Sequence, residues 1–153
     1  MRKLYNLLLV EDEEHKTNDL LRRLEVAGFG KPTVATGVRD AVLAVMQRPF
    51  DLIVLDMALP TFAKGEVASA GGVAQSMGGI EILRALKSSG AKANLIIVTQ
   101  YPEILINGEK IRLSALPRLL TARYGQNVLG SILYSFKTPE WEKSFDAALG
   151  RLT

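Results

Sequence analysis

A chain of 153 residues, 48% of them hydrophobic, is long enough to bury a core as one globular domain, and it contains no cysteine. The missing thiols exclude disulfides, thiolate zinc sites and cysteine nucleophiles together, and they suit a reducing, cytoplasmic setting. A net charge of +3 raises the question of nucleic acid, but Arg22, Arg23, Lys110, Arg112, Arg118 and Arg123 are scattered without interleaved aromatic residues, so solvated helix faces and no direct nucleic-acid partner are expected.

The elements alternate along the chain. Residues 4–10, LYNLLLV, are apolar without polar alternation, as in a strand covered on both faces, and the acids that follow Val10 rule out a signal peptide. From Lys16 to Ala27, Leu20, Leu21 and Leu24 recur at helical spacing, and Gly28 is a stop signal. TVAT at 33–36 predicts a second strand, and Val38, Ala41, Val42, Val45 and Met46 predict a helix that breaks before Pro49. FDLIVLDMALP, 50–60, is a third strand ending in an acid and a proline. Residues 61–79 are rich in Gly, Ala and Ser without periodicity and predict a long mobile insertion loop, with Gly78 and Gly79 as a hinge. Ile80, Leu83 and Leu86 mark a third helix that stops at Gly90, and NLIIVT, 94–99, is a fourth strand. The long region 100–127 holds a fourth helix from Leu113 to Tyr124 with Pro117 in its first turn. VLGSILYSF supplies a fifth strand, and Trp141, Phe145, Ala148, Leu149 and Leu152 mark one face of a closing helix after Pro139. No apolar run approaches the ~20 residues of a membrane span, so no membrane association is expected.

Alternating strands and helices imply an α/β domain with a largely parallel sheet, whose ligands bind beyond the carboxyl ends of the strands. Polar residues stand at those ends: Glu11 and Asp12 after the first strand, Asp56 after the third, Thr99 closing the fourth and Lys137 closing the fifth. Acids gathered from two strand tips repel each other unless a hard cation lies between them, which makes the cluster a candidate Mg²⁺ site. Glu13 and Glu14 read instead as acids that favour a helix N-terminus. Asp56 beside such a cation could attack a phosphoryl group to form an acyl phosphate, with Lys137 as a point charge and Thr99 as a hydroxyl for phosphoryl oxygens.

LLLVEDE, DLIVLDMALP, LIIVT and YSFK, in that order and each at a strand end, resemble the receiver domain of two-component response regulators over essentially the whole chain. The resemblance implies a flavodoxin-like, doubly wound, five-stranded parallel sheet of order 2-1-3-4-5 with helices on both faces. It implies Asp56 as phosphoacceptor and Mg²⁺ held by Glu11, Asp12, Asp56 and the backbone carbonyl of Ala58. Thr99 and Tyr134 match the switch residues, and Lys137 matches the family's lysine. A sensor histidine kinase or phosphotransfer protein would donate the phosphoryl group, and only self-phosphorylation and self-dephosphorylation chemistry is expected, not an enzyme. Output would pass to a partner or through a homodimer on the face made by the fourth helix, fifth strand and fifth helix, since the chain, read as a single domain over 1–153, ends directly after its closing helix.

Four departures stand out: the insertion between Pro60 and Gly78, the long stretch from Thr99 to Lys137, Thr138 between Lys137 and Pro139, and Gln100 where a small residue usually follows the switch hydroxyl. Gln100 is therefore a candidate modulator of acyl phosphate lifetime. A phosphatase of the haloacid dehalogenase type needs a second acid where Ala58 stands, and the later paired acids of a toprim-like nuclease are missing for the same reason. The remaining alternative is a degenerate receiver that binds partners without phosphorylation.

Overall fold

The structure is a computed structural model that describes residues 4–59, 69–70, 73–75 and 77–152. Five parallel strands form the main sheet: β1 (Leu7–Val10), β2 (Thr33–Ala35) and β3 (Leu52–Leu55), and further along the chain β6 (Asn94–Thr99) and β9 (Asn127–Leu133). Their order is β2-β1-β3-β6-β9, which is 2-1-3-4-5 when only these strands are counted. Helices α1 (Glu14–Val26), α2 (Val38–Gln47), α3 (Met77–Ser88) and α4 (Leu116–Tyr124) lie in the four crossovers, and α5 (Glu140–Leu149) follows the last strand.

Strand periodicity divides the core in two. Leu7 and Leu9 of β1, Leu52 and Val54 of β3, and Ile96 and Val98 of β6 pack with Leu20 and Leu24 of α1 and with Trp141 and Phe145 of α5. The alternate residues Leu8, Val10, Ile53, Leu55, Leu95 and Ile97 face Ala41 and Val45 of α2, Ile82, Leu83 and Leu86 of α3, and Leu116 and Leu120 of α4. Burial on both faces is why these strands read as unbroken apolar runs. Between β6 and β9 the register passes from Leu95↔Val128 to Ile96↔Gly130, a bulge that leaves Leu129 as the extra residue.

A second sheet was not expected. β4 (Ser69–Ala70), β5 (Val73–Gln75), β7 (Glu103–Ile106) and β8 (Glu109–Arg112) join in the order β4-β5-β7-β8, with β5 parallel to β7 and the other pairs antiparallel. Part of the expected insertion loop 61–79 is therefore strand, and its last residues open α3. Positions 61–68, 71–72 and 76, on which the expectation of mobility chiefly rests, lie outside the described residues. The region 100–127 gains a hairpin before its helix. Asn107 (φ 52°) and Gly108 (φ 82°) both take the left-handed conformation that a two-residue type I′ turn requires. Ile104 and Ile106 of this hairpin are buried with α3 and α4 in the second half of the core. The fourth helix itself forms as expected, preceded by a single 3₁₀ turn at Leu113–Ala115 and with Pro117 in its first turn.

Gly78 and Gly79 are not a hinge. They lie in the first turn of α3, pressed against the segment that follows β3. A Cβ at Gly78 would stand 2.2 Å from the Leu59 carbonyl oxygen, and one at Gly79 would stand 2.7 Å from Met57 Cα. The amide of Gly79 donates to the Met57 carbonyl at 3.2 Å. Close approach of backbone to backbone, available only without side chains, fixes α3 beside the loop that carries Asp56. No helix among the described residues is long and apolar enough to cross a membrane.

Candidate functional site

The parallel register brings the acids together. Val10 pairs with Leu55 at the end of the β1–β3 ladder, and the Asp56 amide continues it by donating to the Val10 carbonyl at 3.3 Å. Glu11 and Asp56 therefore leave adjacent strands side by side at the carboxyl edge.

Their environments differ. Glu11 is buried, and its Oε2 accepts the amides of Asp12 (3.2 Å) and Glu13 (3.1 Å), which satisfies donors at the entry to α1. Asp56 is held by an Asx-type turn in which Oδ1 accepts the Ala58 amide at 2.9 Å. Asp12 is exposed, and its carboxylate has no hydrogen bond or ion pair among the described residues.

Between Glu11 and Asp56 stands a cation that sequence reasoning missed. Lys16 is 1% exposed, and its Nζ lies 2.8 Å from Asp56 Oδ2 and 2.7 Å from Glu11 Oε1 while donating to the Val98 carbonyl at 2.8 Å. Glu11 Oε1 has no other partner among the described residues. Burial pushes the Glu11 carboxyl up to about 7, with the neighbouring ammonium pulling against that rise and Asp56 adding to it. For Lys16 burial disfavours the charge, but the Asp56 and Glu11 carboxylates outweigh it and leave the ammonium above its ordinary value. The signal for this residue was in the helix pattern. Lys16, Leu20 and Leu24 are the buried positions of α1, spaced at i, i+4 and i+8, so a lysine occupies the apolar stripe.

The other expected residues divide. Thr99 is fully buried at the end of β6, where its Oγ1 accepts the Tyr101 amide at 3.3 Å and its carbonyl accepts the Tyr134 amide at 2.8 Å. Tyr134 is turned inward, with its ring 5.1 Å from that of Trp141 and 5.8 Å from Lys16 Nζ and its hydroxyl donating to Asp19 of α1. Burial, followed by the Asp19 hydrogen bond, raises its phenol and keeps it protonated. Gln100 is exposed and its amide donates to Glu13 Oε2 at 3.2 Å, across the mouth of the site. Lys137 does not join the cluster: it is exposed on the turn after β9, and its ammonium has no partner among the described residues. Loop residues 135–138 are held in part by Ser135 Oγ accepting the Lys137 amide. No peptide bond there, or elsewhere among the described residues, is cis.

For Mg²⁺ the donor set is of the right chemistry, hard carboxylate oxygens, but the arrangement does not fit an ion bound between Glu11 and Asp56. An ammonium holds that place, and among the described residues no three acidic or histidine side chains converge as a metal cage.

No family model matches the chain. It is similar to the Detocs response regulatory protein DtcB of Vibrio alginolyticus, 31% identical over 122 residues that cover 78% of this chain and 81% of the relative. It is also similar to the DtcB of Enterobacter cloacae, 23% identical over 141 residues, 88% of this chain and 92% of the relative. Among solved structures, the chemotaxis response regulator CheY4 of Vibrio cholerae shares the fold with a TM-score of 0.62 and 17% identity over 99% of this chain and 100% of that one. A response regulator from Colwellia psychrerythraea gives 0.61 and 21% over 99% and 100%. The response regulator TrrA of Thermotoga maritima, in complex with Mg²⁺-BeF, gives 0.58 and 16% over 95% and 99%. The flavodoxin-like architecture expected from the strand-end motifs is the architecture present.

Proposed function

Since the chain belongs to the family of Detocs response regulatory proteins DtcB, we propose that it is a phosphorelay receiver that accepts a phosphoryl group on Asp56 from the phosphohistidine of a kinase or phosphotransfer protein. In that step the Asp56 oxygen–phosphorus bond forms as the phosphorus–nitrogen bond breaks, and the imidazole leaves with the electron pair. The chain acts as a signalling phosphoacceptor and not as an enzyme on other substrates, and a cytoplasmic kinase would be its donor.

The observation that supports this reading best is the Asp56 carboxylate itself. It sits at the carboxyl edge of the sheet, side chain 12% exposed, with one oxygen oriented by a backbone amide and the other by an ammonium. A carboxylate fixed in direction, partly open to solvent and beside positive charge has what an attacking group and the resulting acyl phosphate need. Thr99 and Tyr134, joined by the Tyr134 amide donating to the Thr99 carbonyl, would pass the change to the α4, β9 and α5 face, where a partner or a second copy would read it.

The same ion pair supports a second reading, a binding module whose acceptor is permanently neutralised. Intact-mass measurement after incubation with phosphoramidate or acetyl phosphate separates the two. A single phosphoryl adduct that disappears in Asp56→Asn is expected. No adduct in native protein under any donor would establish the phosphorylation-independent module.

A further inference from the structure

Lys16 has no role in the chemistry expected from the sequence, yet it is the charged side chain most completely enclosed at the site. Its ammonium lies within 2.8 Å of three oxygens from three different strand ends, ion-paired with Glu11 after β1 and donating to Asp56 after β3 and to the Val98 carbonyl of β6. A lysine kept merely for packing would be better served by leucine on the stripe that continues through Leu20 and Leu24, and a buried ion pair is weak evidence for stability in itself. What the ammonium does is place one positive charge between the two carboxylates that a divalent ion would otherwise bridge.

We propose that Lys16 is the resident cation of the acceptor pocket: it takes the place of Mg²⁺ between Glu11 and Asp56, and it neutralises the phosphoryl group transferred to Asp56 without a metal ion. The inference rests on Asp56 being the acceptor. As the Asp56 oxygen–phosphorus bond forms and the donor's phosphorus–nitrogen or phosphorus–oxygen bond breaks, the leaving group takes the electron pair, and the carboxylate's single negative charge at the site is replaced by the charge that the phosphoryl oxygens bring with them. One N–H of Lys16 then moves its hydrogen bond from Asp56 Oδ2 to a phosphoryl oxygen, while Glu11 and the Val98 carbonyl keep the ammonium anchored. No proton or electron leaves the lysine. A divalent ion bound to Glu11 and Asp56 would stand against this ammonium, and like charge disfavours it.

The test uses the full chain and the variants Lys16→Gln and Lys16→Met, the second guarding against a folding failure of the first. Isothermal titration with Mg²⁺ should give the variants an affinity at least about tenfold tighter than native protein, because the competing charge is gone. In acetyl phosphate, native protein should gain its adduct in EDTA at a rate within about twofold of its rate in Mg²⁺, whereas the variants should react appreciably only with Mg²⁺ present. Equal Mg²⁺ affinities in native and variant protein, or a native adduct that forms only with Mg²⁺, would overturn the proposal while leaving Asp56 as the acceptor. Failure of native protein to gain an adduct in either buffer would instead remove the acceptor reading, and the Mg²⁺ titration would then still decide whether the ammonium excludes the ion.

Discussion

Lys16→Met changes the charge of the pocket with little change in side-chain length, so its effect on stability can be worked out from the site. Removing one partner of a buried ion pair costs about 3–5 kcal/mol, mostly as the penalty of leaving the other charge uncompensated. Two features move the value toward the lower end. Glu11, already raised to about 7 by burial, takes up a proton once the ammonium is gone and so neutralises its own share. Asp56 keeps its Ala58 amide and 12% of its surface in water. The expected loss is therefore about 3 kcal/mol at pH 7, which in a chain of this size lowers the melting temperature by about 6–12 °C. Urea unfolding followed by circular dichroism measures it. The double variant Lys16→Met with Glu11→Gln should recover part of the loss, since the two positions share one network and do not add. Stability equal to or above native in Lys16→Met alone would refute the reasoning, because it would mean that the two carboxylates are not held against each other by this ammonium.

Other substitutions probe the frame around the site. Gly79→Ala should destabilise by about 1–3 kcal/mol through forced displacement of α3 from Met57, readable in the same urea experiment. Gly108→Ala should cost about 1–2 kcal/mol, because a Cβ opposes the left-handed turn between β7 and β8, and a neutral result would argue against that hairpin. Gln100→Ala should leave the rate of phosphate loss from Asp56 within about twofold, since the amide is engaged with Glu13, and a change of about tenfold would mean that it leaves Glu13 for the phosphoryl group.

Much of the fold was legible because burial on both faces writes strands as apolar runs, and LLLV, LIVL and NLIIVT fall where those runs fall. The strand-end positions of Glu11, Asp56 and Thr99 were legible for the same reason, as polar residues terminating such runs. What was missed follows from cues of a different kind. The β7–β8 hairpin was announced by Asn107-Gly108 between EILI and EKIR, a turn signal that a search for helical periodicity passes over. Gly78 and Gly79 read as a hinge because sequence does not distinguish a glycine that frees the backbone from one that lets two backbones touch. Lys16 was hidden in a helix read only for its leucines. Lys137 matched the strand-end pattern, yet the turn after β9 leaves it exposed, and the cation beside Asp56 comes instead from the first turn of α1.

The most direct test of Asp56 as the acceptor is to locate the phosphoryl group chemically. Borohydride reduces an aspartyl phosphate to homoserine, so phosphorylated protein treated this way and sequenced by tandem mass spectrometry carries a permanent mark at the acceptor. Homoserine at position 56, and at no other position, is the expected result. A mark at Asp12 or another acid, or a phosphoryl group that resists reduction because it resides on His15, would contradict Asp56 as the acceptor.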